Sequence, residues 1–216
     1  MTRRRSLDLL AYGRDSHVLI VAPGGSGKST LAAQLASAAD SAAWASPAPA
    51  DNEPGCFWTA ALIAFRTALP DFGDDLLAEV IGGSDVDRLL VRMPDRLMAA
   101  GRPVPLILDD LHDITDDVIL RQIDWLLDRL DPTTCRIVMC SRSRPTLATA
   151  QLVMTGRLIV LETGDVSFDD ADCSWKNWAS PSARKNRTRS PPVPMADRPP
   201  SICAGCRCAL AYQSGR

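Results

Sequence analysis

Short apolar runs alternate along the chain with longer segments whose apolar residues recur at helical spacing. Each run has the length of a strand and is bounded by polar or turn-forming residues, which is the pattern of a buried strand. The runs cover residues 17–22, 42–46, 104–108, 135–140 and 157–161. Strands that are apolar throughout are typical of a parallel sheet that is covered on both faces.

The longer segments between these runs predict helices. They cover residues 29–39, 56–69, 86–100 and 117–130. Asp85 is a suitable cap for the third helix, Pro94 is expected to interrupt or kink it, and Gly101 is expected to end it. Residues 70–84 are broken by Pro and Gly, so no element is predicted there. The alternation predicts an α/β fold with a mostly parallel sheet and helices on both faces.

A glycine-rich turn joins the first predicted strand to the first predicted helix. Residues 22–29 read Ala-Pro-Gly-Gly-Ser-Gly-Lys-Ser and match the P-loop pattern G-x-x-x-x-G-K-[ST], except for Ala22 at its first position. Glycines let the backbone curl so that successive amides point at an anion, and the following helix presents its positive end to the same anion. The residues expected to contact a nucleotide are Gly24, Gly25, Ser26, Gly27, Lys28, Ser29 and Thr30.

Two side chains of this turn have specific expected roles. Lys28 is placed to reach the β- and γ-phosphates, and Ser29 is placed to bind Mg²⁺ through its hydroxyl. The expected ligands are therefore ATP or ADP with Mg²⁺, in a fold of the P-loop NTPase type. The alternative is a chance Gly-Ser turn before a helix, although strand, loop, Gly-Lys-Ser and helix all occur in the required order.

Two adjacent acids follow the predicted strand at residues 104–108. A carboxylate at the end of a buried parallel strand lies at the edge of the sheet where ligands bind, so Asp109 is a candidate for holding Mg²⁺, usually through water. Asp110 is a candidate catalytic base that orients or deprotonates an attacking water. The alternative for Asp110 is a turn or a helix cap.

Arg142 follows the strand at residues 135–140, and this location aims a cation at the same edge. It is expected to sense or stabilise the charge of the γ-phosphate, and the alternative is a surface arginine in solvent. His112 lies three residues beyond Asp109, and both a catalytic role and a local hydrogen-bonding role remain open for it.

Charge is distributed unevenly along the chain, whose formal net charge is −2. Residues 1–173 hold 16 Lys and Arg against 25 Asp and Glu, whereas residues 174–216 hold 8 against one. The acidic part carries no basic stripe, so direct DNA binding by this chain is not expected. No apolar run is long enough for a transmembrane helix, and no apolar stretch of a signal peptide follows the basic N-terminus. We therefore expect no membrane association and a cytoplasmic location.

The composition changes near residue 173. The segment beyond it holds six of the 16 Pro, many Ser and Arg and no apolar periodicity, which is typical of disorder. Cys203, Cys206 and Cys208 lie within it, but a fourth zinc ligand is missing, so an unstructured tail is favoured over a zinc site. The expected divisions are a lead segment at residues 1–16, a P-loop NTPase domain at 17–172 and a disordered tail at 173–216.

Several segments resemble the ATPase module of large LuxR-type, maltose-regulator-like transcriptional regulators, which belong to the STAND class of signal-transduction ATPases and are related to AAA+ enzymes. The segments are VLIVAPGGSGKSTLAAQLA at 18–36, Ala43-Trp44, DNEPGCFW at 51–58, LILDDLH at 106–112 and IVMCSRSRP at 137–145. The resemblance spans roughly residues 5–170, and Ala22 at the first P-loop position agrees with the family.

The resemblance implies a nucleotide switch rather than a metabolic enzyme. Members of this family hold ADP at rest, exchange it for ATP when an inducer binds, then self-associate and act on promoters. They also carry a winged-helix-like domain, sensor repeats and a DNA-binding helix-turn-helix, none of which we expect in this sequence. Because the likeness stops where the composition changes, we expect a truncated or frame-shifted form of such a regulator.

Three functional hypotheses follow. The leading one is an ATP-binding, weakly hydrolysing switch module of a transcriptional regulator, which we expect to self-associate through this ATPase module. The second is a small stand-alone P-loop kinase or nucleotide-transferring enzyme, although no Arg-rich lid is found in the core. The third is a degenerate scaffold that binds nothing, against which Lys28, Ser29 and Asp109 argue.

Overall fold

The computed structural model describes residues 15–70, 72–83 and 85–166. The expected tail at 173–216, with its three cysteines, lies outside the described residues. So do most of the expected lead segment at 1–16 and the last residues of the expected NTPase domain. The proposed domain boundaries therefore stay predictions.

One sheet of parallel strands organises the described part of the chain. The strands are β1 (His17–Val21), β2 (Ala43–Ala45), β3 (Leu106–Leu108), β4 (Ile137–Ser141) and β5 (Leu158–Leu161). Their order across the sheet is β2-β3-β4-β1-β5, and every neighbouring pair is parallel. All five predicted strands are thus present, with ends that differ from the predicted ones by at most two residues. Because the strands are parallel, the segments that follow them emerge at the same edge of the sheet.

Helices fill most of the connections. They are α1 (Lys28–Ala36), α2 (Pro54–Ala68), α3 (Asp74–Ile81), α4 (Val86–Ala99), α5 (Asp117–Arg129), α6 (Ala150–Met154) and α7 (Thr163–Val166), with 3-10 turns at Pro49–Asp51 and Leu111–Asp113. Within the described residues, none of these helices combines the length and the apolar character that a membrane crossing requires.

Successive residues of each strand pack on opposite faces of the sheet. On β1, Leu19 belongs to the larger core, which α2, α3, α4 and α5 cover. Val18 and Ile20 belong to the smaller core, which is closed by Leu31 of α1 and Val166 of α7. The predicted α/β fold, with a parallel sheet and helices on both faces, is confirmed.

Helix α3 lies where no element was predicted. Gly73 precedes it with a φ of 71°, a left-handed conformation that suits glycine, and Gly82 follows it. The helix has only eight residues, but Leu76, Leu77 and Val80 are buried on one side of it. The glycines that suggested a break are therefore the two boundaries of a short helix, and tertiary burial stabilises it.

Helix α4 agrees closely with its prediction at both ends. The Asp85 carboxylate caps it by accepting a hydrogen bond from the Asp87 amide at 3.0 Å, and Gly101 follows it with a φ of 69°. Pro94, however, does not interrupt the helix, which runs continuously from Val86 to Ala99. Buried Met93 and Leu97 on either side of Pro94 anchor this stretch in the larger core.

A series of hydrogen bonds between side chains joins three helices of the larger core. The indole of Trp58 in α2 donates to Gln122 Oε1 in α5 at 2.8 Å, and Gln122 Nε2 donates to Asp87 Oδ1 in α4 at 3.0 Å. Trp58 is fully buried, so its N–H needs this partner. These two hydrogen bonds fix the positions of α2, α4 and α5 relative to one another on one face of the sheet.

His17 is a buried histidine at the N-terminal end of β1, at the edge of the sheet away from the P-loop. The Ile137 amide donates to Nδ1 at 3.1 Å, so the ring proton resides on Nε2, which faces the Leu130 carbonyl at 3.3 Å. Burial lowers the pKa of His17 from 6.5 to about 4. The neutral ring is therefore part of the fold, as expected for a structural histidine.

The neutral state of His17 predicts a pH-dependent stability. Between pH 6.5 and about 4 the unfolded chain binds a proton that the folded chain excludes, so acid favours unfolding in this window. The contribution of His17 is complete above pH 6.5, and about 2 kcal/mol of it is lost by pH 5. Urea unfolding at pH 7 and pH 5 measures this change.

The variant His17→Gln is the control, because it has no titrating ring. It is expected to be less stable at pH 7, and its stability should change less between pH 7 and pH 5 than that of the wild type. Equal pH dependence in both proteins would contradict the assignment.

Candidate functional site

The P-loop connects the end of β1 to the start of α1. Gly27 caps α1 with a φ of 90°, and Gly25 has a φ of 76°. A Cβ at Gly25 would meet no atom within 4 Å, so the backbone conformation rather than space calls for glycine there. The first residue of the loop, Ala22, is held by its amide, which donates to the Ser141 carbonyl of β4 at 3.1 Å.

Lys28 is the first residue of α1, and its side chain is almost completely buried. Its Nζ donates to the Ala22 carbonyl at 2.6 Å and to the Pro23 carbonyl at 2.8 Å. The ammonium is therefore folded back across the loop that its own backbone helps to form. Together with the positive end of α1, it makes this turn the natural place for an anion.

The carboxylate of Asp109 lies beside the start of α1, although its strand and β1 are separated in the sheet by β4. The Ser29 hydroxyl donates to Asp109 Oδ1 at 3.1 Å. Asp109 is 7% exposed and its amide donates to the Ala45 carbonyl of β2 at 2.9 Å. The structure thus brings Ser29 and Asp109 together at the P-loop edge of the sheet.

A hydroxyl and a carboxylate in contact are oxygen ligands of the kind that Mg²⁺ prefers. The described residues contain no cluster of three or more His, Cys, Asp or Glu around a common point. A small protein contribution is compatible with Mg²⁺, which keeps several waters and takes further ligands from phosphates. The donor set of Ser29 and Asp109 therefore fits Mg²⁺ bound together with a nucleotide.

Asp110 has an unusual backbone. Its φ of 60° and ψ of 35° place it in the left-handed region, and no other non-glycine among the described residues has a positive φ. Its amide donates to Asp109 Oδ1 at 3.1 Å, and its Oδ1 lies 3.9 Å from His112 Nδ1. His112 Nδ1 is buried and has no hydrogen-bond partner among the described contacts. Backbone strain of this kind concentrates at functional sites.

A cavity of about 350 Å³ opens above the P-loop. The residues that line it are Gly24, Gly25, Gly27, Lys28, Ser29, Thr30, Asp110 and Arg142. Both the predicted base, Asp110, and the predicted arginine, Arg142, thus lie in its wall together with residues of the P-loop. Asp109 lies behind Ser29, and the Ser26 hydroxyl is buried without a hydrogen-bond partner. Two cations and the end of a helix face one carboxylate here, a balance that suits a phosphate chain.

Cys140 is fully buried in β4. Its location beside Asp109 was not evident from the sequence. Burial raises the pKa of the Cys140 thiol, and the charge of Asp109 raises it further. The thiol is therefore neutral at physiological pH and adds no competing charge behind Asp109.

Comparison with known proteins finds matches to the part of the chain that contains the P-loop and the two acids. A sequence model of the AAA ATPase domain matches residues 4–139. The HTH-type transcriptional regulator MalT of Cronobacter sakazakii is 29% identical over 152 residues, which are 69% of this chain and 17% of MalT. The serine/threonine-protein kinase PknK of Mycobacterium tuberculosis is 30% identical over 181 residues, which are 78% of this chain and 16% of PknK.

The chain therefore spans less than a fifth of the length of these curated relatives. Among solved structures, a STAND protein with a tetratricopeptide repeat sensor from Pyrococcus horikoshii superposes with a TM-score of 0.49 at 19% identity. The superposition covers 76% of this chain and 23% of that protein.

The backbone of Asp110 predicts an ordering of stabilities among its variants. Asp110→Asn is expected to stay close to the wild type, because Asn tolerates the left-handed region. Asp110→Ala is expected to lose about 1 kcal/mol, because other side chains are strained there. Urea unfolding at pH 7 gives the two free energies.

The same pair of substitutions at Asp113, which has no positive φ, serves as the control. At Asp113, the free energies of unfolding of the Asn and Ala variants should not differ by the cost of backbone strain. Equal stabilities for Asp110→Asn and Asp110→Ala would contradict the assigned conformation.

Proposed function

The chain belongs to the AAA ATPase domain family, and from this premise we propose that it is the nucleotide-switch module of a MalT-like, LuxR-type transcriptional regulator. The resemblance to the ATPase module of such regulators is confirmed at the level of this domain. The proposed ligand is ATP or ADP with Mg²⁺, and the proposed chemistry is slow hydrolysis of ATP to ADP and phosphate.

The observation that carries the proposal is the hydrogen bond between Ser29 and Asp109. It joins the helix after the P-loop to the strand that ends in two acids, at the edge where Gly27 and Lys28 present amides and an ammonium. A phosphate-binding turn without a carboxylate would fit many anions. The carboxylate beside it favours a nucleotide that brings a divalent cation.

Each site residue has a proposed role in binding. The backbone of Gly24, Gly25, Ser26 and Gly27 cradles the phosphates, with Ser29 and Thr30 at the start of α1 completing the turn. Lys28 moves its ammonium from the Ala22 and Pro23 carbonyls toward the β- and γ-phosphates. Ser29 and Asp109 would hold Mg²⁺, which would neutralise part of the phosphate charge.

Hydrolysis requires that a water attacks the γ-phosphorus while the bond to the β-γ bridging oxygen breaks. We assign to Asp110 the orientation of this water and the acceptance of its proton, since its carboxylate lines the cavity. We assign to Arg142, in the same wall, the stabilisation of charge on the γ-phosphate. The products are ADP and phosphate.

The likeness to MalT supports a regulatory rather than a metabolic role. MalT is a transcriptional regulator, and this chain matches 17% of it. We propose that nucleotide exchange changes the ability of the module to self-associate, and that contact with DNA belongs to other parts of a complete regulator. The proposed location is the cytoplasm.

The variant Lys28→Ala tests the phosphate site. Loss of one charge-assisted contact is expected to weaken ATP binding in the presence of Mg²⁺ by about tenfold or more, as measured by titration calorimetry. Arg121→Ala, which removes a cation from the exposed side of α5, is the control and should bind ATP like the wild type. Equal affinity in Lys28→Ala and the wild type would exclude the P-loop assignment.

The variant Asp109→Asn tests the Mg²⁺ site. The wild type is expected to bind ATP more tightly with Mg²⁺ than with a chelator. The amide keeps an oxygen for Ser29 but removes the charge, so this advantage should fall by roughly tenfold. An unchanged ratio of the two affinities would argue against Asp109 as a metal-shell residue.

The products of the reaction separate a switch from a kinase. Slow release of labelled phosphate from γ-labelled ATP into water, reduced in Asp110→Asn, supports the proposal. Transfer of the label to a small acceptor molecule would support the stand-alone kinase and contradict the proposed switch. If ATP binds tightly but its γ-phosphate label is neither released nor transferred, the chain binds nucleotide without hydrolysing it. That result would contradict the roles of Asp110 and Arg142.

A further inference from the structure

The side chain of Asn52 bridges two loops that are far apart in the sequence. It lies in the connection between β2 and α2, immediately after the turn at Pro49–Asp51. Its Oδ1 accepts hydrogen bonds from the Thr115 and Asp116 amides, both at 2.9 Å, and its Nδ2 donates to Thr115 Oγ1 at 3.0 Å. The side-chain amide of Asn52 thus makes three hydrogen bonds with two adjacent residues of the second loop.

The second loop is the one that carries the two acids. It runs from Asp109, at the end of β3, to Asp116, which caps α5 by accepting from the Val118 and Ile119 amides. The loop enters from β3 with the Asp109 amide bound to Ala45. It leaves toward α5 through the two residues that Asn52 holds. Both ends of the loop are therefore fixed to the segment around β2.

Between these fixed ends the loop is tightly wound. The Asp113 amide donates to the Asp110 carbonyl and the Ile114 amide to the Leu111 carbonyl, each at 3.1 Å. Leu111 and Ile114 are buried in the larger core. Asp110 is the residue that takes up the unfavourable backbone conformation. A left-handed aspartate persists only where its surroundings determine the conformation, and the hold on the end of the loop is one such constraint.

An amide is the side chain that this position requires. Its oxygen satisfies two backbone donors while its nitrogen donates to a hydroxyl, which a carboxylate is unable to do. The surroundings are also rich in acids, because Asp51 and Glu53 flank Asn52 and Asp116 lies in the partner loop. A neutral side chain avoids a further negative charge there.

We propose that Asn52 is a positioning residue for ATP hydrolysis: it holds the loop at residues 109–116 so that the Asp110 carboxylate faces the cavity. Asn52 does not line the cavity, so it acts through the loop and not through the nucleotide. This inference rests on the proposed function. It assigns to the segment around Asn52 a role in turnover that is separate from nucleotide binding.

Asn52→Ala is the principal variant, studied in the full chain. Its rate constant kcat for phosphate release is expected to fall roughly tenfold to a hundredfold, because small displacements of a catalytic group have effects of this size. Its affinity for ATP with Mg²⁺ is expected to stay within about twofold of the wild type, because the P-loop, Ser29 and Asp109 are untouched. Amide hydrogen exchange should rise in residues 110–114 and stay unchanged in the P-loop.

Two further variants keep the inference testable if Asn52→Ala does not fold. Thr115→Ala removes only the contact with the hydroxyl and should lower kcat by less. Asn52→Asp keeps an acceptor for both amides and should recover part of the rate that Asn52→Ala loses. Thr67→Ala, on the exposed side of α2, is the control and should leave both kcat and affinity unchanged.

The results separate this inference from the proposed function. Failure of the wild type to bind ATP refutes the proposed function, and the inference with it. A wild type that binds ATP without releasing phosphate leaves the binding assignment intact and overturns the inference. Normal kcat in folded Asn52→Ala, or a loss of affinity as large as the loss of kcat, also overturns the inference alone.

Discussion

The contact between Ser29 and Asp109 joins residues that are 80 positions apart, and it exists because the strands of the sheet run in the same direction. Parallel pairing brings the ends of β1, β3 and β4 to one edge. The P-loop, the acid pair and Arg142 follow these three strands in turn. A reversal of any one of the strands would carry its functional residue to the opposite edge. The direction of the strands is therefore the constraint on which the whole site depends.

The two faces of the sheet support the site in different ways. The larger core is built from four helices, three of which are joined by the hydrogen bonds from Trp58 to Gln122 and from Gln122 to Asp87. The smaller core is closed mainly by α1, the helix that also begins the phosphate site. The P-loop and α1 thus lie on the side of the smaller core, whereas the loop after β3 that carries the two acids is anchored in the larger core through Leu111 and Ile114.

The sequence was sufficient for the features that depend on local pattern. The five strands, the caps of α4 and the P-loop follow from hydrophobic periodicity and residue types alone. The placement of Asp109 needed one further assumption, that the sheet is parallel. Helix α3 was missed because it is short and lies between glycines, so its stability comes from the burial of Leu76 and Val80, which no local rule contains.

Other features of the site depend on tertiary structure. The left-handed backbone of Asp110 results from the closure of a loop whose two ends are held elsewhere, so the two adjacent acids gave no sign of it. The proximity of Cys140 to Asp109 depends on the pairing of β3 with β4. Asn52 stood in a segment that was informative only as part of a family likeness, since its partners are more than sixty residues away.

The burial of His17 at the start of β1 has a consequence for how acid and ligand act together. A strand of five residues separates His17 from the P-loop, a span of roughly 16 Å at the usual rise per residue. This span exceeds the distance over which charges interact strongly at physiological salt, about 8 Å. Proton uptake at one end of β1 and occupancy at the other should therefore contribute independently to the free energy of unfolding. The destabilisation that protonation of His17 causes would therefore be the same whether or not a ligand occupies the P-loop.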